Sequence, residues 1–213
     1  MENKFGFYVS GNATTLKKFL LNEKKILIKQ CKIIISDSPK DDELAKISNL
    51  NNIDLVFFDL KKLPKDQRNI ELSFFILENF VSHNVDYGFI FGGRILKGEL
   101  LTNYKNKLIN FHPSILPLYK GIKAIDQAVE DNAFLYGNTA HLIDEDVDSG
   151  AIIMQNIIHR SLVTDYRDII DNQIKMMTQI IKWINEDRFV VNNGNVLIRN
   201  GHYNCNYFIP EIE

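Results

Sequence analysis

Short, almost unbroken apolar runs alternate with helix-like segments over the first 111 residues. Residues 5–9 are a compact apolar run closed by the polar turn Ser10-Gly11-Asn12. Residues 12–25 then place Leu16, Phe19 and Leu20 at spacings that share one helix face. Residues 31–35 are rich in β-branched side chains, and Ser36-Asp37-Ser38-Pro39 stops them. The pattern repeats at 55–58, and residues 70–81 form an amphipathic helix. Residues 87–91 and 108–111 are two more inner strands. Strands that are apolar throughout, separated by helices, predict a parallel sheet covered on both sides.

Residues 124–129 continue with a helix, after which the pattern turns toward strands at 137–143 and 151–158, joined by Asp144-Glu145-Asp146-Val147-Asp148-Ser149-Gly150. A long helix follows, with one apolar stripe through Tyr166, Ile169, Ile170, Ile174, Met177, Ile180, Ile181 and Ile184. Asn193-Gly194 and Asn200-Gly201 sit between apolar or aromatic residues and read as short hairpins. The expected fold is α/β, a Rossmann-like, mostly parallel sheet with helices on both faces. Residues 1–187 are expected to form one main domain, and 188–213 its β-rich C-terminal extension.

Composition narrows the function class. A chain of 213 residues buries about 70% of its unfolded surface, so it needs neither disulfides nor metal to fold. Hydrophobic residues at 45% and charged residues at 24% argue against disorder. With 25 basic and 27 acidic side chains, nothing global points to nucleic acid or an anionic membrane. Cys31 and Cys205 cannot make a disulfide framework or a four-thiolate zinc site. The first apolar run is too short for a signal-peptide core, and no stretch approaches the roughly 20 apolar residues of a membrane helix. The expectation is a soluble, cytoplasmic protein.

Three neighbourhoods carry more polarity than packing requires. Ser10 to Leu16 lies where the first strand meets the first helix, so free N–H groups there suit an anion such as phosphate. The alternative is that Asn12 or Thr14 simply caps the helix. The segment has neither a dinucleotide fingerprint nor a Walker A lysine. Asn110-Phe111-His112-Pro113-Ser114-Ile115-Leu116-Pro117 leaves an inner strand, with Asn110 and His112 on one face and Phe111 on the other. Strand ends of this kind are where open α/β sheets bind ligands. In the acidic turn, Asp144, Glu145 and Asp146 suit a solvated loop, whereas Asp148, before Ser149-Gly150, can turn inward. A carboxylate beside His112 would raise that imidazole's pKa and make a proton-transferring pair near neutral pH. The turn's spacing does not match an EF-hand, and no zinc-ligand pattern is present, so no metal is expected.

These residues resemble the glycinamide ribonucleotide formyltransferase superfamily. Asn110-x-His112-x-Ser114-x-Leu116-Pro117 and Gly121 resemble its signature, and Gly137-x-Thr139-x-His141 with Asp148-Ser149-Gly150 resembles its second block. The 36-residue step from His112 to Asp148 agrees as well. Ser10-Gly11-Asn12 with Leu16 is similar to the phosphate loop of the phosphoribosylglycinamide enzymes, and Arg94-Ile95-Leu96 to their folate-contacting segment. The likeness covers about residues 4–184.

The resemblance implies 10-formyltetrahydrofolate as formyl donor and a small-molecule primary amine as acceptor. It implies Asn110, His112 and Asp148 as the catalytic triad, with protonated His112 and the Asn110 amide stabilising the oxyanion and Asp148 keeping His112 protonated. Arg94, Ile95, Leu96, Asp144 and Val147 would border the donor. Gly11, Asn12, Ala13, Thr14 and Thr15 would hold the acceptor phosphate, and His141 would support the loop structurally.

The departures fall on the acceptor side. Gln173-Ile174 stands where the family carries a Glu-His pair, and Ala13 and Thr15 replace a usual Gly and Asn. An intact triad beside an altered acceptor segment favours N-formylation of an amino sugar or sugar nucleotide. Phosphoribosylglycinamide formyltransferase is the alternative, and hydrolysis of formyltetrahydrofolate a third reading. The tail suits either a dimer surface or a pocket wall.

Overall fold

The computed structural model describes residues 2–38, 41–203 and 208–209. Pro39, Cys205 and the last residues of the tail, on which parts of the sequence reading rest, lie outside the described residues. The chain divides into two compact units, residues 1–109 and 110–213.

Unit 1 runs β1 (Phe5–Val9), α1 (Thr14–Asn22), α2 (Lys25–Ile28), β2 (Cys31–Ser36), α3 (Asp42–Leu50), β3 (Asp54–Phe57), α4 (Arg68–Ser82), β4 (Tyr87–Phe91) and α5 (Glu99–Asn103). Its strands are ordered β4-β1-β2-β3 and all run parallel. All five residues of β1 are buried, so both of its faces are covered. Alternation along the strand shows by what: the Phe7 ring lies 6.4 Å from Phe19 of α1, while Gly6 meets Phe80 of α4. Gly88 on β4 meets the same Phe80 ring. A Cβ added at Gly6 would sit 2.5 Å from that ring, which is itself fully buried. Gly6→Ala is therefore expected to destabilise the protein by about 1–3 kcal/mol through overpacking, read as a lowered midpoint in urea unfolding.

Helix α3 escapes the hydrophobic pattern because it is short and its buried positions include Ser48. Its local signal is nevertheless present, since Asp41 accepts a capping hydrogen bond from the Leu44 N–H at 3.0 Å. Helix α5, with five residues, is too short to show a period. Helix α1 starts at Thr14 after Ala13, and no side chain caps it, so the alternative of a simple Asn12 or Thr14 cap is not realised.

The next strand, β5 (Leu108–His112), contains the boundary between the units. Unit 2 continues with α6 (Ala124–Glu130), β6 (Leu135–Leu142), β7 (Ile152–His159), α7 (Tyr166–Ile170), α8 (Asn172–Asn185), β8 (Phe189–Asn192), β9 (Asn195–Ile198) and β10 (Phe208–Ile209). Strands β6 and β7 pair antiparallel, with a register shift between Ala140 and His141. The long helix expected from one stripe is two, α7 and α8, separated at Asp171. Tyr166 leaves the stripe: it is exposed and donates its hydroxyl to Asp126 Oδ1 at 2.8 Å. Ile169, Met177, Ile180, Ile181 and Ile184 are buried as the pattern requires.

Asn193 and Gly194, both left-handed (φ 48° and 75°), make the β8–β9 hairpin. Among the described residues Asn200-Gly201 does not make a second one: β10 pairs antiparallel with β7, Phe208 opposite Asn156. The α/β class, with a parallel sheet and a small antiparallel hairpin near the C-terminus, is as expected. Among the described residues, no helix is long and apolar enough to cross a membrane.

Candidate active site

Strand β5 ends in Asn110-Phe111-His112, and its alternation leaves Asn110 half-buried on the His112 face. His112, Asp148, His141 and Asn110, all in unit 2, come together. His112 Nδ1 lies 3.4 Å from Asp148 Oδ2. His141 Nε2 lies 3.5 Å from Asp148 Oδ1 and 3.3 Å from Asn110 Nδ2. The Asp148 side chain is 9% exposed although it sits in an otherwise solvated turn. A left-handed backbone (φ 49°) turns it inward, and the Gly121 N–H donates to its Oδ2 at 2.7 Å. Asp144, Glu145 and Asp146 are exposed, as a solvated turn requires, and the Ser149 hydroxyl donates to Asp144 Oδ1 at 2.6 Å.

Carbonyl partners decide where the ring protons sit. His112 Nε2 is 2.7 Å from the Tyr119 carbonyl; a carbonyl only accepts, so Nε2 carries hydrogen. His141 Nδ1 is 2.8 Å from the Leu142 carbonyl and carries hydrogen for the same reason. Its Nε2 lies between the Asn110 amide and the Asp148 carboxylate. His141 is thus part of the cluster, where sequence reasoning gave it only loop support.

The charge expected on His112 is not the one the structure favours. Burial pushes the His112 pKa below its ordinary value and outweighs the Tyr119 carbonyl and Asp148, which act in the other direction. The imidazole is neutral near pH 7, with Nδ1 bare and facing a carboxylate. Burial alone would raise the Asp148 carboxyl, but the His141 ring, the Gly121 N–H and His112 together hold it below the usual range. Asp148 stays ionised beside a neutral ring.

The loop carrying these groups is held by Thr139, which belongs to the second sequence block, and by Gln155, which the sequence did not mark. Thr139 Oγ1 donates to the Ser114 carbonyl at 2.8 Å and accepts from the Leu116 N–H at 3.0 Å. Gln155, opposite Thr139 on β7, donates to the Leu116 carbonyl at 2.9 Å. The signal was the i, i+2 spacing of Gly137, Thr139 and His141, which puts all three on one face of β6.

In unit 1, Gly11 (φ 65°) and Ala13 (φ 50°) are both left-handed, so the loop turns sharply into α1. Ala13 adopts without strain relief a conformation that favours glycine, the residue usual there in the family it resembles. Arg94 and Ile95 are exposed, whereas Leu96 is buried in the core. Arg94 Nε donates to Asp37 Oδ2 at 3.0 Å. Among the described residues, no group of three or more His, Cys, Asp or Glu side chains is arranged to hold a metal ion.

A profile of the formyl transferase family matches residues 3–179. The chain belongs to the formyl transferase family. Two curated relatives of this formyl transferase are informative. Phosphoribosylglycinamide formyltransferase of Bacillus subtilis is 28% identical over 186 residues, covering 84% of this chain and 93% of that protein. Trifunctional purine biosynthetic protein adenosine-3 of Chironomus tentans is 32% identical over 164 residues, 74% of this chain. The chain spans only 12% of that longer protein. Among solved structures, glycinamide ribonucleotide transformylase 1 from Symbiobacterium toebii superposes with a TM-score of 0.77 at 25% identity, covering 92% of this chain and 93% of that one.

Gln173 of α8, where the sequence led us to expect an altered acceptor side, is buried, and its Nε2 donates to Asn138 Oδ1 at 3.0 Å. Asn138 in turn donates to Asn156 Oδ1 at 2.8 Å and to the Ile169 carbonyl at 2.7 Å. This formyl transferase uses Gln173 as one member of a buried polar network.

Proposed function

We propose that the chain transfers a formyl group from 10-formyltetrahydrofolate to the primary amine of glycinamide ribonucleotide. The observation that carries the chemistry is the Asn110–His141–Asp148–His112 cluster; the Bacillus subtilis relative, covered over 93% of its length, supports the acceptor. This replaces the amino-sugar acceptor favoured by the sequence. Gln173 weighed toward an altered acceptor pocket, but its hydrogen bond to Asn138 accounts for an amide there without any change of substrate.

The residues fit the donor. Asn110 offers an amide N–H, and His112 offers a bare ring nitrogen beside an ionised carboxylate. When bound, 10-formyltetrahydrofolate supplies an electrophilic formyl carbon, on whose oxygen negative charge grows as the amine adds. The Asn110 Nδ2–H donates to that oxygen, a contribution of about 2.7–4 kcal/mol to the transition state. His112 Nδ1 accepts the proton the amine sheds, and Asp148 Oδ2 stabilises the resulting imidazolium. His112 then returns the proton to the departing nitrogen. Proton transfer thus replaces the standing positive charge expected from the sequence. Val147 is an apolar side chain left 48% exposed in the turn before Asp148, and with Asp144 it borders the pterin in this reading. In unit 1, Gly11, Asn12, Ala13, Thr14 and Thr15 hold the acceptor phosphate, and Arg94, Ile95 and Leu96 serve the donor.

The test is an assay that follows formyl transfer with 10-formyltetrahydrofolate and glycinamide ribonucleotide. Formylation of the ribonucleotide amine is the expected result. Formate release without acceptor would replace transfer by hydrolysis, and formylation of a nucleotide-linked amino sugar alone would restore the other acceptor.

The protonation state makes a separate prediction. His112 must be neutral to act, and its pKa lies below the ordinary 6.5, so kcat/KM is expected to be level at neutral pH and to fall only under more acid conditions. An acid limb with its midpoint above 6.5 would show instead that Asp148 outweighs burial.

A further inference from the structure

Unit 1 contains a cavity of about 400 Å³ lined by Ser10, Gly11, Asp37, Lys61, Gly93 and Arg94, among others. Two cationic side chains face it, and one carboxylate. The Asp37 side chain is 3% exposed. A single oxygen, Oδ2, accepts from both the Tyr8 hydroxyl and Arg94 Nε, each at 3.0 Å. Tyr8 is fully buried on β1. Its burial, followed by the charge of Asp37, pushes the phenol well above its usual range, so it remains a donor. Asp37 is tied into the strand layer from behind and grips the guanidinium from below its fork. Nε is the inner N–H of that group. Holding it orients the guanidinium plane while the two terminal nitrogens keep the geometry that meets an oxyanion side by side.

We propose that Asp37, itself held by Tyr8, is a positioning residue that orients Arg94 to bind an oxyanion group of a substrate in this cavity. Lys61 adds a second positive charge at the same wall. The inference rests on the proposed function for its ligand, because both substrates carry such a group: carboxylates on the folate and a phosphate on the ribonucleotide. It opposes a purely Coulombic account, in which Asp37 merely cancels charge and its loss would tighten anion binding.

Equilibrium titration calorimetry of the full chain, with tetrahydrofolate and glycinamide ribonucleotide as separate probes, distinguishes these accounts and the two sources of the anion. Asp37→Asn is expected to weaken one probe about tenfold, the loss of one charge-assisted hydrogen bond, and to leave the other unchanged. Arg94→Ala should weaken the same probe at least as much, and Asp37→Asn should add nothing in that background. Arg94→Lys should not restore binding. Tyr8→Phe, which keeps the buried ring, should show a smaller loss on the same probe and covers the case in which Asp37→Asn does not fold. Tighter binding by Asp37→Asn, additive losses, or a lowered melting temperature with unchanged affinities would each overturn the proposal. Binding does not require turnover, so a wild-type chain that binds a probe through Arg94 without transferring formyl would sink the proposed function and leave this inference standing.

Discussion

Replacing His112 by Ala is expected to lower kcat for formyl transfer by about 10²–10⁴-fold, the range for loss of a positioned general base. The effect follows from the bare ring nitrogen of His112. With Nε2–H engaged by the Tyr119 carbonyl, only Nδ1 can take a proton, and it faces Asp148 Oδ2 at 3.4 Å. Without the ring, Asp148 keeps the Gly121 N–H and its His141 neighbour, but the carboxylate, held below its usual range, is a poor base at neutral pH. KM should change much less than kcat, because the lost interaction belongs to the proton-transfer step. Single-turnover rates measure the step directly, and far-ultraviolet circular dichroism of the variant checks that it is folded. Since His112 is buried, His112→Gln, which preserves more of its volume, is the companion variant and should lose activity to a similar degree. Turnover close to wild type in a folded variant would remove His112 from the mechanism.

The second large effect is expected from one methyl group. A Cβ added at Gly150 would lie 1.8 Å from the Leu142 carbonyl oxygen and 2.7 Å from its carbon. Those are backbone atoms at the end of β6, and the Leu142 N–H is itself bonded to the Ala151 carbonyl at 2.9 Å. A flexible side chain could yield; a paired backbone cannot without moving the turn. Asp148 lies two residues earlier in that turn, so Gly150→Ala is expected to displace the carboxylate from His112 as well as to strain the β6–β7 junction. The stability loss should reach or exceed the upper end of ordinary overpacking, about 3 kcal/mol. The residual folded protein should transfer formyl at well under a tenth of the wild-type rate, the order of loss for a misplaced catalytic group. Thermal unfolding and the transfer assay check the two parts. A variant with an unchanged melting temperature and rate would show that the turn accommodates the methyl group.

The same residues show how far the sequence could be read. Strands β1 and β4 were legible because burial on both faces makes them apolar throughout. Helix α3 was not, because its buried side is narrow and ends in a serine. The break between α7 and α8 was invisible because the apolar spacing continues across Asp171 while the chain does not. Asn200-Gly201 carries the local signature of a hairpin, yet the following strand pairs with β7; turn residues permit a reversal but do not choose the partner strand.

At the candidate site, residue types, order and spacing were enough to mark Asn110, His112 and Asp148, because their signatures lie in short contiguous blocks. Their meeting with His141 required the fold, since contacts across 31 to 36 positions depend on how the strands and turns pack. The protonation of His112 was least accessible of all. A neighbouring carboxylate, visible in the sequence, argues for charge; the burial that defeats it is a sum over the atoms surrounding the ring. Chemistry written into adjacent residues was therefore determined by the sequence alone. Which nitrogen carries hydrogen, which partner Gln173 finds and which way Arg94 is held were decided by the tertiary structure, because desolvation and hydrogen bonding depend on neighbours that only folding brings within a few ångströms.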